Sequence, residues 1–192
     1  MASASVYANV KDGLNMKPAT TRCSVRQLME SSGVRFGTSG ARGLVADMSP
    51  EVCVAYTLAF LRVVCAVPGS RVALGIDLRP SSPAIAAACV AAIRHAGLDV
   101  DYCGALPTPA LAFYAQEEGI PAIMITGSHI PFDRNGIKFY RSTGEITKAD
   151  EAGIAAATVE FPADLAFPAL PEADPAARRN YVERYLRFFP AD

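Results

Sequence analysis

The chain alternates short, wholly apolar runs with longer segments in which apolar residues recur at helical spacing. The short runs are typical of strands buried on both faces, and they occupy residues 71–76, 98–103 and 122–125. The longer segments begin near a Ser, Thr or Pro that can start a helix, and they occupy residues 52–64, 84–95, 110–118 and 148–159. This alternation predicts an α/β fold with a mostly parallel sheet and helices on both of its faces.

The same patterns divide the chain into four parts. Residues 1–32 show no sustained period and predict a flexible N-terminal arm, whereas residues 33–160 carry the alternation and predict one domain. Prolines and small residues at 161–174 predict a linker. Residues 175–192 predict a last helix with an apolar stripe, which would dock onto this domain, form an oligomer contact or lead into a second domain. The stripe comprises Tyr181, Val182, Tyr185, Leu186 and Phe189.

Charge and cysteine content narrow the functional class. Lys plus Arg number 18 and Asp plus Glu number 19, so no bulk charge indicates nucleic acid or a membrane surface as a partner. No apolar run approaches the ~18 residues of a membrane span, and the first residues lack the apolar core of a signal peptide. The five cysteines form no CxxC pair, which favours reduced thiols in a cytoplasmic protein over disulfides.

Residues 121–140, PAIMITGSHIPFDRNGIKFY, form the most informative segment. The apolar run 122–125 predicts a buried strand that delivers a polar loop at 126–129. A turn at 133–136 then predicts reversal of the chain into a second strand, 137–140. This hairpin would hold Ser128 and Lys138 close together at the mouth of one binding site.

A glycine-rich stretch, VRFGTSGARG at 34–43, is either an anion-binding loop around Arg42 or a tight turn with a solvated arginine. It is not a P-loop, because GxxxxGK[ST] is absent.

Asp77 and Arg79, just beyond the strand at 71–76, either pair with each other to hold their loop or contact a ligand. The loops at the carboxyl ends of the strands would gather several cations around the serine hydroxyl, an arrangement that suits phosphoryl transfer. These cations are Arg42, Arg79, His129, Arg134 and Lys138.

Two other assignments are less favoured. A serine hydrolase would need a base facing the nucleophile, but adjacent Ser128 and His129 side chains diverge along an extended backbone. His95, near the end of an alanine-rich helix, is more simply explained by the favourable position of a cation at a helix C-terminus.

Four motifs resemble those of the α-D-phosphohexomutases, the phosphomannomutases and phosphoglucomutases: FGTSGARG at 36–43, DLRPSS at 77–82, PTP at 107–109 and TGSHIPFDRNGIK at 126–138. The resemblance runs from about Val34 to the end of the chain. It implies a three-layer α/β/α domain with a mostly parallel mixed sheet, the first domain of that family. It also implies interconversion of hexose 1-phosphate and hexose 6-phosphate through a phosphoserine and a hexose 1,6-bisphosphate.

The resemblance implies roles for particular residues. Ser128 matches the phosphoserine, Lys138 and Arg42 match acid–base and phosphate-orienting groups, and His129 assists in the loop. The phosphate-binding set is Thr38, Ser39, Gly40, Arg42, Thr126, Arg134 and Lys138. Ile130 departs from the family, which often has Asn there, and this change removes one loop hydrogen bond.

The family's metal loop (DGDGDR), its sugar-recognition loop (GExSG) and its C-terminal phosphate clamp have no match in the sequence. The complete enzymes use Mg²⁺ and a hexose 1,6-bisphosphate activator, and Ser128 is the single matching metal ligand, through its phosphoryl oxygen. The sequence therefore predicts an N-terminal portion of a hexose phosphate mutase that is inactive alone. The alternative is a sugar-phosphate binding module without catalysis.

Overall fold

The computed structural model describes residues 19–37, 40–64 and 70–189. The strands are β1 (Thr20–Ser24), β2 (Arg35–Phe36), β3 (Ala41–Leu44), β4 (Arg71–Ile76), β5 (Asp99–Ala105), β6 (Ala122–Ile125), β7 (Arg134–Arg141), β8 (Gly144–Glu145) and β9 (Thr158–Pro162). The helices are α1 (Val25–Ser32), α2 (Pro50–Val64), α3 (Ser82–His95), α4 (Thr108–Glu118), α5 (Lys148–Ala156) and α6 (Ala176–Leu186). None of the helices in these ranges is long and apolar enough to cross a membrane.

The main sheet has the order β2-β3-β7-β6-β4-β5, and β8 pairs with β7. The predicted mixed sheet with helices on both faces is confirmed. Parallel pairing is confined to β4 with its neighbours β5 and β6, so the sheet is less parallel than the alternation predicted. The reason is that the chain turns straight back from β6 into β7, and β3 and β2 then extend the sheet as antiparallel strands.

Two apolar layers cover the sheet. Helices α1, α2, α3 and α5 lie against one face, and α4 and α6 lie against the other. Helix α2 is central to the first layer, because every residue from Val52 to Leu61 is buried. The Tyr56 hydroxyl, at the middle of α2, donates a 2.6 Å hydrogen bond to the carbonyl of Val34 and so anchors the segment before β2.

The prediction of a flexible arm over residues 1–32 is wrong for residues 20–32. Strand β1 pairs antiparallel with β9, Thr20 opposite Pro162, and α1 follows it with Val25 fully buried. The pairing joins segments far apart in sequence, which local periodicity does not reveal. Residues 1–18 lie outside the described residues.

The C-terminal third also differs from expectation. Helix α5 ends at Ala156, and the residues assigned to its end and to the linker's start instead form β9. Residues 163–174 contain no helix or strand, and at their end the Asp174 N–H donates to the Tyr102 carbonyl of β5 at 2.8 Å. Helix α6 docks onto α4, with Ala177 buried and the Arg184 guanidinium 4.6 Å from the ring centroid of Phe113.

Candidate functional site

Strand β6 presents Ser128 at the edge of the sheet. All four β6 residues are buried, and the buried Thr126 and Gly127 carry the chain out to an exposed Ser128. Ser128 has φ +51°, and it is the sole non-glycine with positive φ among the described residues. Such a conformation costs about 1 kcal/mol or more and is concentrated at functional sites.

Short hydrogen bonds define the loop around Ser128. Its N–H donates to the Thr126 hydroxyl at 2.8 Å, and the Thr126 N–H donates to the Gly136 carbonyl at 3.0 Å. The exposed His129 places Nδ1 3.4 Å from the Ser128 hydroxyl oxygen. The prediction that these two side chains diverge is therefore wrong, because positive φ at Ser128 replaces the extended backbone that the prediction assumed. The backbone N–H groups of Thr126 and Ser128 are thus hydrogen-bonded within the protein, whereas the Ser128 side chain is exposed.

Lys138 lies in β7, the strand next to β6, on the same face of the sheet as Met124 of β6. It pairs with Met124 across the β6–β7 ladder, and a half-buried position keeps its stem against the protein. Lys138 and Ser128 line one open groove of about 620 Å³. The other lining residues are Thr108, Pro109, Ala112, Gln116, Tyr140, Gly144 and Glu145. The hairpin thus brings the predicted pair together.

The groove also contains a phenol and a carboxylate that the sequence did not single out. Burial raises the pKa of Tyr140 to about 12, with a further contribution from Glu145, so the phenol stays neutral and can donate a hydrogen bond. Tyr140 stands two residues after Lys138 in β7 and therefore faces the same side. That alternation is the signal that could have found it.

Arg42 is placed on this same face by strand pairing. It sits opposite Gly136 in the β3–β7 ladder, two residues before Lys138, and its side chain lies over both Gly37 and Gly136. Gly40 has φ +87°, and a Cβ there would stand 2.7 Å from the Cα of Lys138. The glycine-rich stretch therefore lets β3 approach β7 closely and extends the cationic face.

Asp77 and Arg79 form a pair inside the site. Asp77 accepts hydrogen bonds from the Gly127 N–H (3.0 Å), the Ser82 hydroxyl (2.6 Å) and the Arg79 N–H (3.0 Å). Burial raises the pKa of the Asp77 carboxyl, but these hydrogen bonds outweigh it, so the net pKa lies below its usual value. Of the two readings left open by the sequence, the structure supports pairing that holds the loop.

Other residues that the sequence predicted for the site lie away from the groove around Ser128 or outside the described residues. Arg134 begins β7 and is exposed, and it is not among the groove-lining residues. Thr38 and Ser39 lie outside the described residues. Asn135, expected in a turn, is instead fully buried in β7 and donates to the hydroxyls of Ser81 and Ser82 at 2.8 and 3.0 Å. It links the hairpin to the start of α3.

The site's own residues do not assemble a magnesium centre. Within the parts of the chain that the structure describes, no group of three His, Cys, Asp or Glu side chains could hold a metal ion. Asp77, bonded to the loop after β6, already uses both oxygens within the protein. The unmodified Ser128 loop therefore lacks the carboxylates that bind Mg²⁺ tightly.

Comparisons with known proteins show which family the chain resembles. Residues 33–161 match the family model described as phosphoglucomutase/phosphomannomutase, alpha/beta/alpha domain I. The chain is 50% identical to a phosphomannomutase from Salmonella muenchen over 166 residues, which cover 85% of this chain and 34% of that protein. It is 37% identical over 140 residues to a phosphoglucosamine mutase from Pelotomaculum thermopropionicum, covering 71% of this chain and 32% of that one.

Among solved structures, a phosphoglucomutase/phosphomannomutase family protein from Burkholderia thailandensis superposes with a TM-score of 0.57 at 29% identity. The alignment covers 65% of this chain and 29% of that one. The chain thus spans about a third of the length of the curated relatives it matches. With two thirds of its residues inside the matched range, the chain belongs to the phosphoglucomutase/phosphomannomutase family, in the region of α/β/α domain I.

Proposed function

We propose that Ser128 carries a phosphoryl group between two oxygens of a hexose phosphate. This proposal rests on the exposed Ser128, which follows a buried strand, has a positive backbone φ and lines the same groove as Lys138. The phosphoryl group of phosphorylated Ser128 passes to a free sugar hydroxyl, giving a hexose 1,6-bisphosphate and the free serine. The other phosphoryl group of that bisphosphate then returns to Ser128 and leaves the isomeric monophosphate.

The cations on this face have complementary roles in the proposal. Lys138 and Arg42 stabilise charge on the phosphoryl oxygens, and Lys138 or His129 handles the proton that the sugar hydroxyl loses. Neither Lys138 nor Arg42 has an ion-pair partner among residues 19–37, 40–64 and 70–189. Both are therefore available to an anion in this part of the chain.

Further contacts to phosphate are assigned by resemblance. Gly40 offers a close backbone approach, Thr126 orders the loop and Arg134 supplies a cation at its far end. Thr38 and Ser39 complete the set. Greater identity to phosphomannomutases than to a phosphoglucosamine mutase favours mannose phosphate over glucosamine phosphate as the substrate. Glucose phosphate is a second candidate, because the matching family model also covers phosphoglucomutases.

Mg²⁺ enters the proposal through the phosphorylated serine. An oxygen of phospho-Ser128 would be one ligand, and the ion would neutralise charge on the transferring group. The remaining ligands would have to come from outside the described residues, because those residues supply no suitable carboxylate cluster. A location in the reducing cytoplasm fits the four free thiols at Cys23, Cys53, Cys89 and Cys103.

Turnover is proposed to require the parts of the relatives that this chain does not span. One phosphate contact alone supplies affinity on the order of millimolar. The test compares the 192-residue chain with a chimera in which it replaces the matching region of the Salmonella phosphomannomutase. We expect hexose phosphate turnover by the chimera, loss of that turnover in the Ser128→Ala chimera, and none by the chain alone.

The chimera also separates catalysis from simple binding. A chimera that folds and binds hexose phosphate but shows no turnover would favour a non-catalytic sugar-phosphate binding module. Robust turnover by the 192-residue chain would instead contradict the need for further parts.

We also propose that the C-terminal end of the isolated chain self-associates. Several large apolar side chains stay exposed after α6 has docked onto α4, with Phe188 71% and Phe189 72% exposed. Val182, Tyr185 and Leu186 extend the same exposed set. Apolar side chains gathered at one end of a monomer favour contact with a second copy.

A further inference from the structure

The guanidinium of Arg79 lies beneath the loop that carries Ser128. Its side chain is 12% exposed, and Asp77 Oδ2 lies 3.4 Å from its Nε. Its two terminal nitrogens donate to four backbone carbonyls of that loop, at 2.7 to 3.4 Å. The acceptors are Ser128 and Ile130 for one nitrogen, and Pro131 and Arg134 for the other.

This geometry engages all three nitrogens of the side chain within the protein. A guanidinium has five N–H donors in a rigid planar fork, and each of its three nitrogens here faces at least one acceptor within the protein. The ion pair with Asp77 also offsets its charge locally. Arg79 is therefore not available to bind a substrate phosphate, unlike Lys138.

The neighbouring glycine shows how tightly the fork is enclosed. A Cβ on Gly127 would overlap the Arg79 guanidinium, so a glycine immediately before Ser128 allows the backbone to lie against the fork. Asp77 completes the enclosure by accepting the Gly127 N–H at 3.0 Å. The backbone is thus fixed on both sides of Ser128, which makes its positive φ sustainable.

We propose that Arg79 is the positioning residue of the Ser128 loop. It acts through the backbone of residues 128–134 and holds the serine hydroxyl at the groove mouth for phosphoryl transfer. This inference rests on the proposed function for its chemical consequence. Small displacements of a reacting group cost large factors in rate, so the effect should appear in the phosphorylation step.

The test is Arg79→Lys in the 192-residue chain. Lysine keeps the charge beside Asp77 but has no planar fork to span four carbonyls. The matched control is Arg71→Lys, which alters a paired arginine at the opposite end of β4, bonded to Asp101 and Glu118. Melting temperature and circular dichroism establish that both variants fold.

The first readout is hydrogen exchange of the loop amides. The N–H groups of Ile130 and Arg134 donate within the loop, to Gly127 and Pro131, and report its order. We expect their exchange to rise by about tenfold or more in Arg79→Lys and to stay unchanged in Arg71→Lys. Unchanged loop exchange in folded Arg79→Lys would overturn the proposal.

The second readout is the rate at which glucose 1,6-bisphosphate phosphorylates Ser128, measured with Mg²⁺ in the chimera with the Salmonella phosphomannomutase, with and without the same substitutions. We expect the maximal rate to fall by ~10²-fold in Arg79→Lys, with little change in the half-saturating concentration, because positioning is lost but substrate contacts remain. A mobile loop phosphorylated at the wild-type rate would overturn the positioning role. Failure of wild-type protein to be phosphorylated would count against the proposed function, and the exchange readout would then decide whether Arg79 orders the loop.

Discussion

Asp77 Oδ2 accepts a hydrogen bond from the backbone N–H of Gly127 at 3.0 Å, which ties the loop after β4 to the loop after β6. The tie is possible because β4 and β6 are parallel neighbours whose carboxyl ends meet at one edge of the sheet. Asp77→Asn should destabilise the fold by about 1–3 kcal/mol. It removes the ion pair with Arg79 and replaces one accepting oxygen by an amide group that cannot accept a hydrogen bond. Chemical denaturation at neutral pH measures this, with Asp164→Asn, an exposed position, as the control.

The same carboxylate predicts acid sensitivity. Hydrogen bonds lower the pKa of Asp77 below its ordinary value of 3.8, and Arg141 likewise holds the pKa of Asp150 well below that value. A lowered folded-state pKa gives stability that is complete above the unfolded-state pKa and is lost as the pH falls below about 4. We expect the wild-type melting temperature to fall in this window, and the fall to be smaller in Asp77→Asn. Equal acid dependence in both proteins would contradict the assignment.

Gly40 should be intolerant of any side chain. Gly40→Ala combines positive φ with overlap against the β7 backbone, where the new Cβ would lie 2.7 Å from the Cα of Lys138. Gly119→Ala is the matched control, because φ is +66° there but no atom lies within 4 Å. We expect a loss of about 1 kcal/mol of unfolding free energy for the control and clearly more for Gly40→Ala. Equal losses would mean that β3 can move away from β7 at little cost.

Lys138 should affect chemistry and leave the fold intact. In the chimera with the Salmonella protein, Lys138→Ala should lower turnover by ~10² or more, because it removes an acid–base or charge-stabilising group. Its melting temperature should change little, since Lys138 is only half-buried and has no ion-pair partner in the described residues. Lys148→Ala, at an exposed lysine paired with Glu151, is the control. A large melting drop would make Lys138 a scaffold residue.

The exposed apolar end should govern association. Replacing Leu186, Phe188 and Phe189 together by serine should shift the isolated chain from a self-associated state toward monomer in sedimentation. Leu78→Ser is the control, because Leu78 is 90% exposed but lies in the loop after β4, outside the C-terminal apolar set. A wild-type chain that is monomeric at all concentrations would remove this proposal.

The sequence predicted the elements whose signal is local. The buried run 122–125 and the helices that begin near Pro50 and Thr147 appear in the structure. The hairpin also placed Ser128 and Lys138 correctly at one groove. In each case, apolar spacing or a capping residue within a few positions specifies the element.

What the sequence missed depends on partners distant along the chain. Asn135 and Gly136 have turn composition, yet pairing with Gly43 and Arg42 of β3 draws them into β7. The arm at 20–32 is ordered because β1 meets β9. The contacts of Arg79 are with backbone carbonyls, whose positions no residue type encodes, so its role could not be separated from ligand binding.

In the proposed reaction, Ser128 accepts a phosphoryl group from a hexose bisphosphate. The direct measurement is phosphopeptide mapping of the chimera with the Salmonella phosphomannomutase after incubation with Mg²⁺ and glucose 1,6-bisphosphate. It is run beside Ser128→Ala and a control, Ser142→Ala, in the turn between β7 and β8. We expect phosphate on Ser128 in the wild type and in Ser142→Ala, and none in Ser128→Ala, because Lys138 in the groove would stabilise the monoester at that position. Phosphate found only at other residues, or none at all in the folded wild-type chimera, would contradict this role for Ser128.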